Sequence, residues 1–285
     1  MIINKVSLIK YQGIIEINGL LWEDRLATPL DIYKQYANSL DATSDFVQSK
    51  NGKLNLEQIF LKIETEDKSI GIAGPMNENI AFIIEKQLKS ILIGKDAFAT
   101  ELIWDQMHRK LVHGRQGDPI WAISFIDCAL WDLKGKFLRQ PVYKLLGGAT
   151  VSKIPAYASM LGYNVLDMEL VKKRAVEYKS KGFTAQKWFF RYGPAKGIDG
   201  LKKNIELVKT LRETLGDEYD LMFDCWQSMD VPYVLSLAEA IKKYNPKWLE
   251  ECVMPDRIDS YVRIKNKINI PLAGAEHHYT RWGIN

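Results

Sequence analysis

Cysteine is scarce. The 285 residues contain three, Cys128, Cys225 and Cys252, and none forms a Cys-x-x-Cys pair. An odd count without framework spacing argues against a disulfide scaffold and for a reduced compartment, so the chain reads as cytoplasmic. No His stands near Cys225 or Cys252 in sequence, which argues against a thiol nucleophile. Long apolar runs are missing too: none approaches the length of a membrane span, and Met1-Ile2-Ile3-Asn4-Lys5-Val6 starts directly as a strand with no signal peptide before it. No membrane partner is expected. Charge of one sign is also absent. There are 39 basic and 35 acidic residues, a formal net charge of +4, with no run that reads as a nucleic-acid arm. The 13 Tyr and 8 Trp are not interleaved with basic clusters, so they read as core and not as stacking platforms for bases.

What is present is an ordinary globular composition, 47% hydrophobic and 26% charged, long enough for a large core and two domains. Residues 2–10 and 59–73 read as strands, the second stretch as a hairpin that turns at 64–69. Residues 12–55 are mixed and loop-rich, broken by Thr28-Pro29-Leu30-Asp31, with a short helix over 32–40. Helical spacing returns over 78–94 and 97–112, with Asp96 as a cap for the second helix. Residues 1–120 therefore read as a small α+β domain. Asp118-Pro119 opens a longer helix with Ile123, Ile126, Ala129, Leu130 and Leu133 on one face. From there the pattern becomes β/α repeats, with strands at 154–160, 185–190, 221–225, 248–251 and 270–276. Residues 121–285 are thus the second domain.

Three of those strands end in an acid. Asp224, Glu250 and Glu276 each close an apolar run, and they stand 26 positions apart. A strand, loop, helix and loop occupy roughly two dozen residues in a repeated β/α unit, so the three carboxylates fall at one rim of a parallel sheet. Acids so placed repel one another unless a cation neutralises them, and hard oxygen ligands suit Mg²⁺.

Several stretches carry a family resemblance. They are Ile126-Asp127-Cys128-Ala129-Leu130-Trp131-Asp132-Leu133-Lys134-Gly135-Lys136, Pro141-Val142-Tyr143-Lys144-Leu145-Leu146-Gly147-Gly148, Asp224-Cys225-Trp226, Lys247-Trp248-Leu249-Glu250-Glu251-Cys252 and Gly274-Ala275-Glu276-His277-His278. On these the chain resembles the mandelate racemase/muconate lactonizing enzyme branch of the enolase superfamily, and within it the rhamnonate dehydratase-like acid-sugar dehydratases. The resemblance implies an N-terminal α+β capping domain followed by a modified TIM-type β/α barrel, with only about five of the expected eight strands in these residues. It also implies Asp224, Glu250 and Glu276 as Mg²⁺ ligands and a homo-oligomer or a complementing C-terminal fragment.

The implied reaction is dehydration of a small-molecule sugar acid to a 2-keto-3-deoxy acid through an enediolate. Enolase-superfamily sites use a Lys or His base with one or two Mg²⁺ ions. Where the family carries Lys-x-Lys, this chain has Lys187-Trp188-Phe189, and Phe189 cannot accept a proton. Lys187 is left to pair with the substrate carboxylate. Arg191 suits carboxylate or hydroxyl binding and not proton transfer. Trp22, Arg25 and Asp31, from the long capping loop, are placed to contact the polyol tail. The family's His–Asp base lies beyond the matching stretches. His277 and His278 follow the third acid as substitute catalytic candidates, though no acidic partner for either is legible. His108 and His113 read as structural or solvated. Two other outcomes stay open: a racemase or epimerase, or a non-catalytic or split chain that binds metal and a partner.

Overall fold

The structure is a computed structural model that describes residues 1–16, 18, 23–37 and 52–284. The chain divides into two compact units. The first comprises Met1–Glu16, Gln48–Lys153 and His278–Asn285, and the second Ile17–Val47 and Ile154–His277. This differs from a division at residue 120 in three places, one of them the return of residues 278–285 to the first unit. Residues 121–153 join the first unit, because the long helix there buries its apolar face on the first sheet. Residues 17–47 join the second unit, because hydrogen bonds tie the described part of that loop to a strand end far along the chain. Among the described residues, no helix is long and apolar enough to cross a membrane.

In the first unit β1 (Ile3–Glu16), β2 (Lys53–Thr65) and β3 (Ile70–Met76) form an antiparallel sheet in that order. Both β1 and β2 extend well into the stretch that reads as loop from sequence, in unbroken register from Lys5↔Glu64 to Glu16↔Lys53. The β2–β3 turn holds because Lys68 adopts φ 64° and the Asp67 carboxylate accepts from the Ser69 N–H at 3.2 Å. Three helical pieces follow: α1 (Glu78–Ile83), a π-turn over Ile84–Leu88, and α2 (Lys89–Leu92). Asn77 caps α1 by accepting from Ile80 N–H at 2.9 Å. Helix α3 (Thr100–Lys110) starts after Ala99 and has no side-chain cap; Asp96 instead accepts from the Phe98 N–H at 3.1 Å, one turn too early to cap it.

Helix α4 (Asp118–Leu138) starts at Pro119, where the missing N–H costs nothing, and ends on Arg139 in the left-handed region at φ 52°. Its face of Ile123, Ile126, Ala129, Leu130 and Leu133 is wholly buried in one cluster with Leu61 and Ile63 of β2. The contact is close enough to require glycine on β3. A Cβ on Gly71 would lie 2.0 Å from the Ala129 carbonyl oxygen and 2.8 Å from Leu133 Cβ. The short α5 (Val142–Leu145) completes this stretch.

The second unit is a parallel sheet of β4 (Ala158–Ser159), β5 (Ala185–Phe189), β6 (Asp220–Asp224), β7 (Trp248–Glu250) and β8 (Leu272–Ala273), in chain order. Helices α6 (Met168–Ser180), α7 (Gly197–Leu215), α8 (Val231–Ile241) and α9 (Ile258–Lys265) connect successive strands, while α10 (Thr280–Ile284), after β8 in the chain, falls in the first unit. This is the β/α repeat of a TIM-type barrel, represented by five strands where closure takes eight. Strands β4 and β8 are two residues each, much shorter than the apolar runs that announce them. One face of the sheet packs its apolar side chains against the helices. Trp188, Phe190, Phe223 and Leu249 belong to that cluster, and the Phe190 and Phe223 rings stack at 5.3 Å. The other face carries Lys187 and Phe189 on β5, Met222 and Asp224 on β6, and Trp248 and Glu250 on β7, matched by the registers Lys187↔Met222↔Trp248 and Phe189↔Asp224↔Glu250.

Replacing Gly71 by Ala forces a backbone carbonyl or a helix to shift. The expected loss is about 2–3 kcal/mol of stability in the first unit, the upper end of overpacking costs. Denaturant unfolding of the variant reads it, and an unchanged midpoint would contradict the close approach.

Candidate active site

The functional side chains stand where the strands stop. Asp224 and Glu250 are the last residues of their strands and lie side by side in the ladder. Lys187, two positions before the paired Phe189, reaches both. Its ammonium donates to Asp224 Oδ2 at 2.9 Å and to Glu250 Oε1 at 2.7 Å. Each carboxylate has a second donor. Trp226 N–H donates to Asp224 Oδ1 at 2.9 Å, and the Trp248 indole donates to Glu250 Oε2 at 2.9 Å. The rings of Tyr157 and Phe189 flank the ammonium at 5.8 and 5.4 Å from their centroids. Burial pushes the Asp224 carboxyl up to about 6, against the opposing pull of Lys187. Burial also works against the Lys187 charge, but the Glu250 hydrogen bond and the Asp224 charge outweigh it, and the lysine stays firmly protonated.

Glu276 keeps the 26-residue interval but lies past the strand. Ala273 is the residue level with Glu250. The oxygen of Glu276 instead comes within 4.8 Å of ligand atoms of Glu251 and His277, the one such group of three among the described residues. His277 Nδ1 lies 2.8 and 3.0 Å from the two oxygens of Glu251, whose side chain is 2% exposed. Glu251 is thus the acidic partner that sequence reasoning does not find for His277. The signal was a second acid beside Glu250, which strand alternation would send to the other face. His278 falls in the first compact unit and His277 in the second.

The backbone is unusual along this rim. Trp226 and Gln227 after Asp224, Glu251 after Glu250, and Ala275 before Glu276 have φ of 40°, 63°, 43° and 84°. Non-glycine residues held there cost free energy and concentrate at functional sites. Behind the rim, the buried Cys225 thiol donates to the Cys252 sulfur at 3.9 Å, and neither forms a disulfide. Burial pushes the Cys225 thiol well up, which disfavours the thiolate a nucleophile needs.

The loop before Phe190's hydrogen-bond partner closes on the end of β5. Ala27 N–H donates to the Phe190 carbonyl at 2.7 Å, and Arg191 Nε donates to Asp24 at 2.9 Å. Arg191 Nη1 is buried with no hydrogen-bond partner among the described residues. Gly193 lets the loop approach, since a Cβ there would sit 2.6 Å from the Ser228 carbonyl oxygen and 2.9 Å from Asp31 Cβ. Arg25 and Asp31, expected on the polyol, bond to each other. They form a two-pronged ion pair at 2.7 Å in each prong, with side chains 3% and 1% exposed. Asp31 also accepts from Thr28 N–H at 2.7 Å, and Arg25 also donates to the Tyr36 carbonyl at 2.9 Å. Their bonds shape the loop. The 3₁₀ turn Pro29–Ile32 stands within the stretch read as loop and helix, of which residues 38–40 lie outside the described residues, as does Trp22.

Comparison with known proteins fits this geometry. Residues 53–147 match the mandelate racemase/muconate lactonizing enzyme N-terminal domain, and residues 170–285 match the enolase C-terminal domain-like family. The chain belongs to the enolase superfamily. It is 35% identical over 265 residues to an L-rhamnonate dehydratase of Saccharopolyspora erythraea, a match covering 92% of this chain and 63% of that protein. Crystal structures of L-rhamnonate dehydratase from Gibberella zeae superpose with TM-scores of 0.81 at 31% identity and, for the complex with Mg, 0.80 at 29%. Each covers 99% of this chain, and 66% and 67% of the respective structure. The chain therefore spans about two thirds of the length of the enolase-superfamily relatives it matches.

Asp31→Asn leaves Arg25 buried without its counter-charge. Breaking a buried pair from one side costs about 3–5 kcal/mol, so the unfolding midpoint should fall steeply. A loss under about 1 kcal/mol, as for an exposed pair, would contradict the assignment to loop architecture.

Proposed function

We propose that the protein is a Mg²⁺-dependent sugar-acid dehydratase that converts an aldonate to a 2-keto-3-deoxy acid. The observation that carries this is the convergence of two in-register strand-end carboxylates, Asp224 and Glu250, on one cationic centre. That donor set fits the metal: both ligands are hard oxygens, already oriented toward a positive charge. Glu276 is the proposed third ligand, on the next strand's loop. When bound, Mg²⁺ supplies Lewis-acid neutralisation of the charge that develops on the substrate carboxylate.

The chain's own residues divide the remaining work. Lys187 is held protonated, so it serves as a fixed charge beside the enediolate and not as the base that takes the C2 proton. Phe189, level with Asp224, offers no proton acceptor on that strand. This disfavours a racemase, which needs opposed bases. Arg191 Nη1, unpartnered among the described residues, is a ready donor for a substrate carboxylate or hydroxyl. His277 is placed to line the same rim. We propose further that turnover depends on sequence equivalent to the third of the relatives' length outside the match, where the proton-transferring base would lie. Metal binding and catalysis should then separate.

Calorimetry with Mg²⁺ on the 285 residues and on Glu250→Gln tests the ligands, with at least a tenfold loss expected in the variant. Equal affinity would overturn the assignment. A screen of five- and six-carbon sugar acids for 2-keto-3-deoxy products tests the chemistry. Product from these 285 residues alone would make His277 the leading base, and metal binding without product from a full-length protein would favour a non-catalytic role.

A further inference from the structure

The Glu251 carboxylate is buried and has no Lys or Arg partner among the described residues. Two donors reach it: His277 Nδ1, at 2.8 and 3.0 Å, and Gln227 Nε2, at 3.3 Å. The same His277 nitrogen lies 2.8 Å from Gln227 Nε2. One ring nitrogen cannot both donate to Glu251 and accept from Gln227, so the geometry forces a choice. A bare Nδ1 would accept from Gln227 but set its lone pair 2.8 and 3.0 Å from the two Glu251 oxygens, acceptor against acceptor, and would leave the buried carboxylate only its longer 3.3 Å bond from Gln227. A protonated Nδ1 satisfies the carboxylate, and Gln227 then gives its N–H to Glu251.

The backbone fixes this arrangement from both sides. Gln227 N–H donates to the Glu251 carbonyl at 2.6 Å, and Glu251 N–H donates to the Ala273 carbonyl at 3.0 Å. Glu251 and Gln227 both hold left-handed conformations, at φ 43° and 63°, and Trp226 sets its ring edgewise to His277 at 6.3 Å. Neither Glu251 nor Gln227 can relax away without undoing a strand-end turn.

We propose that Glu251 is a positioning residue: it locks His277 in the Nδ1–H tautomer, so that Nε2 presents a lone pair to a donor hydroxyl of the substrate. This rests on reading the rim as a sugar-acid site. It adds a specificity element, because an acceptor nitrogen discriminates for a hydroxyl and against a substrate that lacks one. Among the described residues Nε2 has no hydrogen-bond partner of its own.

Long-range ¹H–¹⁵N NMR of the ¹⁵N-histidine-labelled protein tests the tautomer, at pH 8.5, well above the ordinary imidazole pKa of about 6.5. The His277 signals are assigned by their loss in His277→Gln. A protonated Nδ1 with a bare Nε2 is expected in the wild type, and loss of that pattern in the isosteric Glu251→Gln. An Nε2–H pattern in the wild type would overturn the proposal, whether or not the variant folds. So would an unchanged tautomer in a folded Glu251→Gln. Mg²⁺ calorimetry on the same samples keeps the two readings apart. Wild type without Mg²⁺ affinity but with the Nδ1–H pattern sinks the metal assignment and leaves the tautomer lock standing.

Discussion

A single ammonium, that of Lys187, holds the ends of two adjacent strands together. It lies between Asp224 and Glu250, and all three groups are largely out of water. Charges removed from water cost several kcal/mol each unless neighbours compensate. Here two carboxylates face one cation, and the imbalance has consequences. Burial raises the Asp224 carboxyl while the two carboxylates keep Lys187 charged, and the excess acid leaves the pair with unused capacity for a second, stronger cation. Structure and proposed chemistry follow from the same excess of buried negative charge.

The rim around that triad is built at a conformational cost. Four non-glycine residues in the left-handed region follow or precede the three acids that end or follow consecutive strands. A strand that ended in ordinary extended backbone would send alternate side chains to opposite faces. The left-handed turns break that alternation where strands β6 and β7 end, and Glu251 comes to meet His277 from the next strand's loop. Cys225 and Cys252 fill the space behind these turns as small buried side chains.

Much of this was legible in the residues, and the exceptions have physical causes. The 26-residue interval between acids survives folding because each interval holds one β/α unit. The apolar stripe of α4 is legible because a helix buries every third or fourth residue. The strands at 154–160 and 270–276 are legible only in part, because most of their residues are exposed and lack ladder partners, leaving two-residue strands. The partner of His277 was hidden by a positive φ that no local pattern announces. The pairing of Arg25 with Asp31 is not legible in the sequence because burial depends on contacts far along the chain. Residues 23–37 fold onto β5 through Phe190 and Arg191, more than 150 positions away in sequence.

The central claim is that the cation-centred pair at the strand ends is where the metal binds. Anomalous diffraction from crystals soaked in Mn²⁺, a close substitute for Mg²⁺ at oxygen ligands, reads the position directly. A peak is expected within about 2.0–2.3 Å of carboxylate oxygens of Asp224 and Glu250, an ordinary metal–oxygen distance, with the Lys187 ammonium displaced. A peak on Glu251, Glu276 and His277, with Lys187 still bridging Asp224 and Glu250, would contradict it.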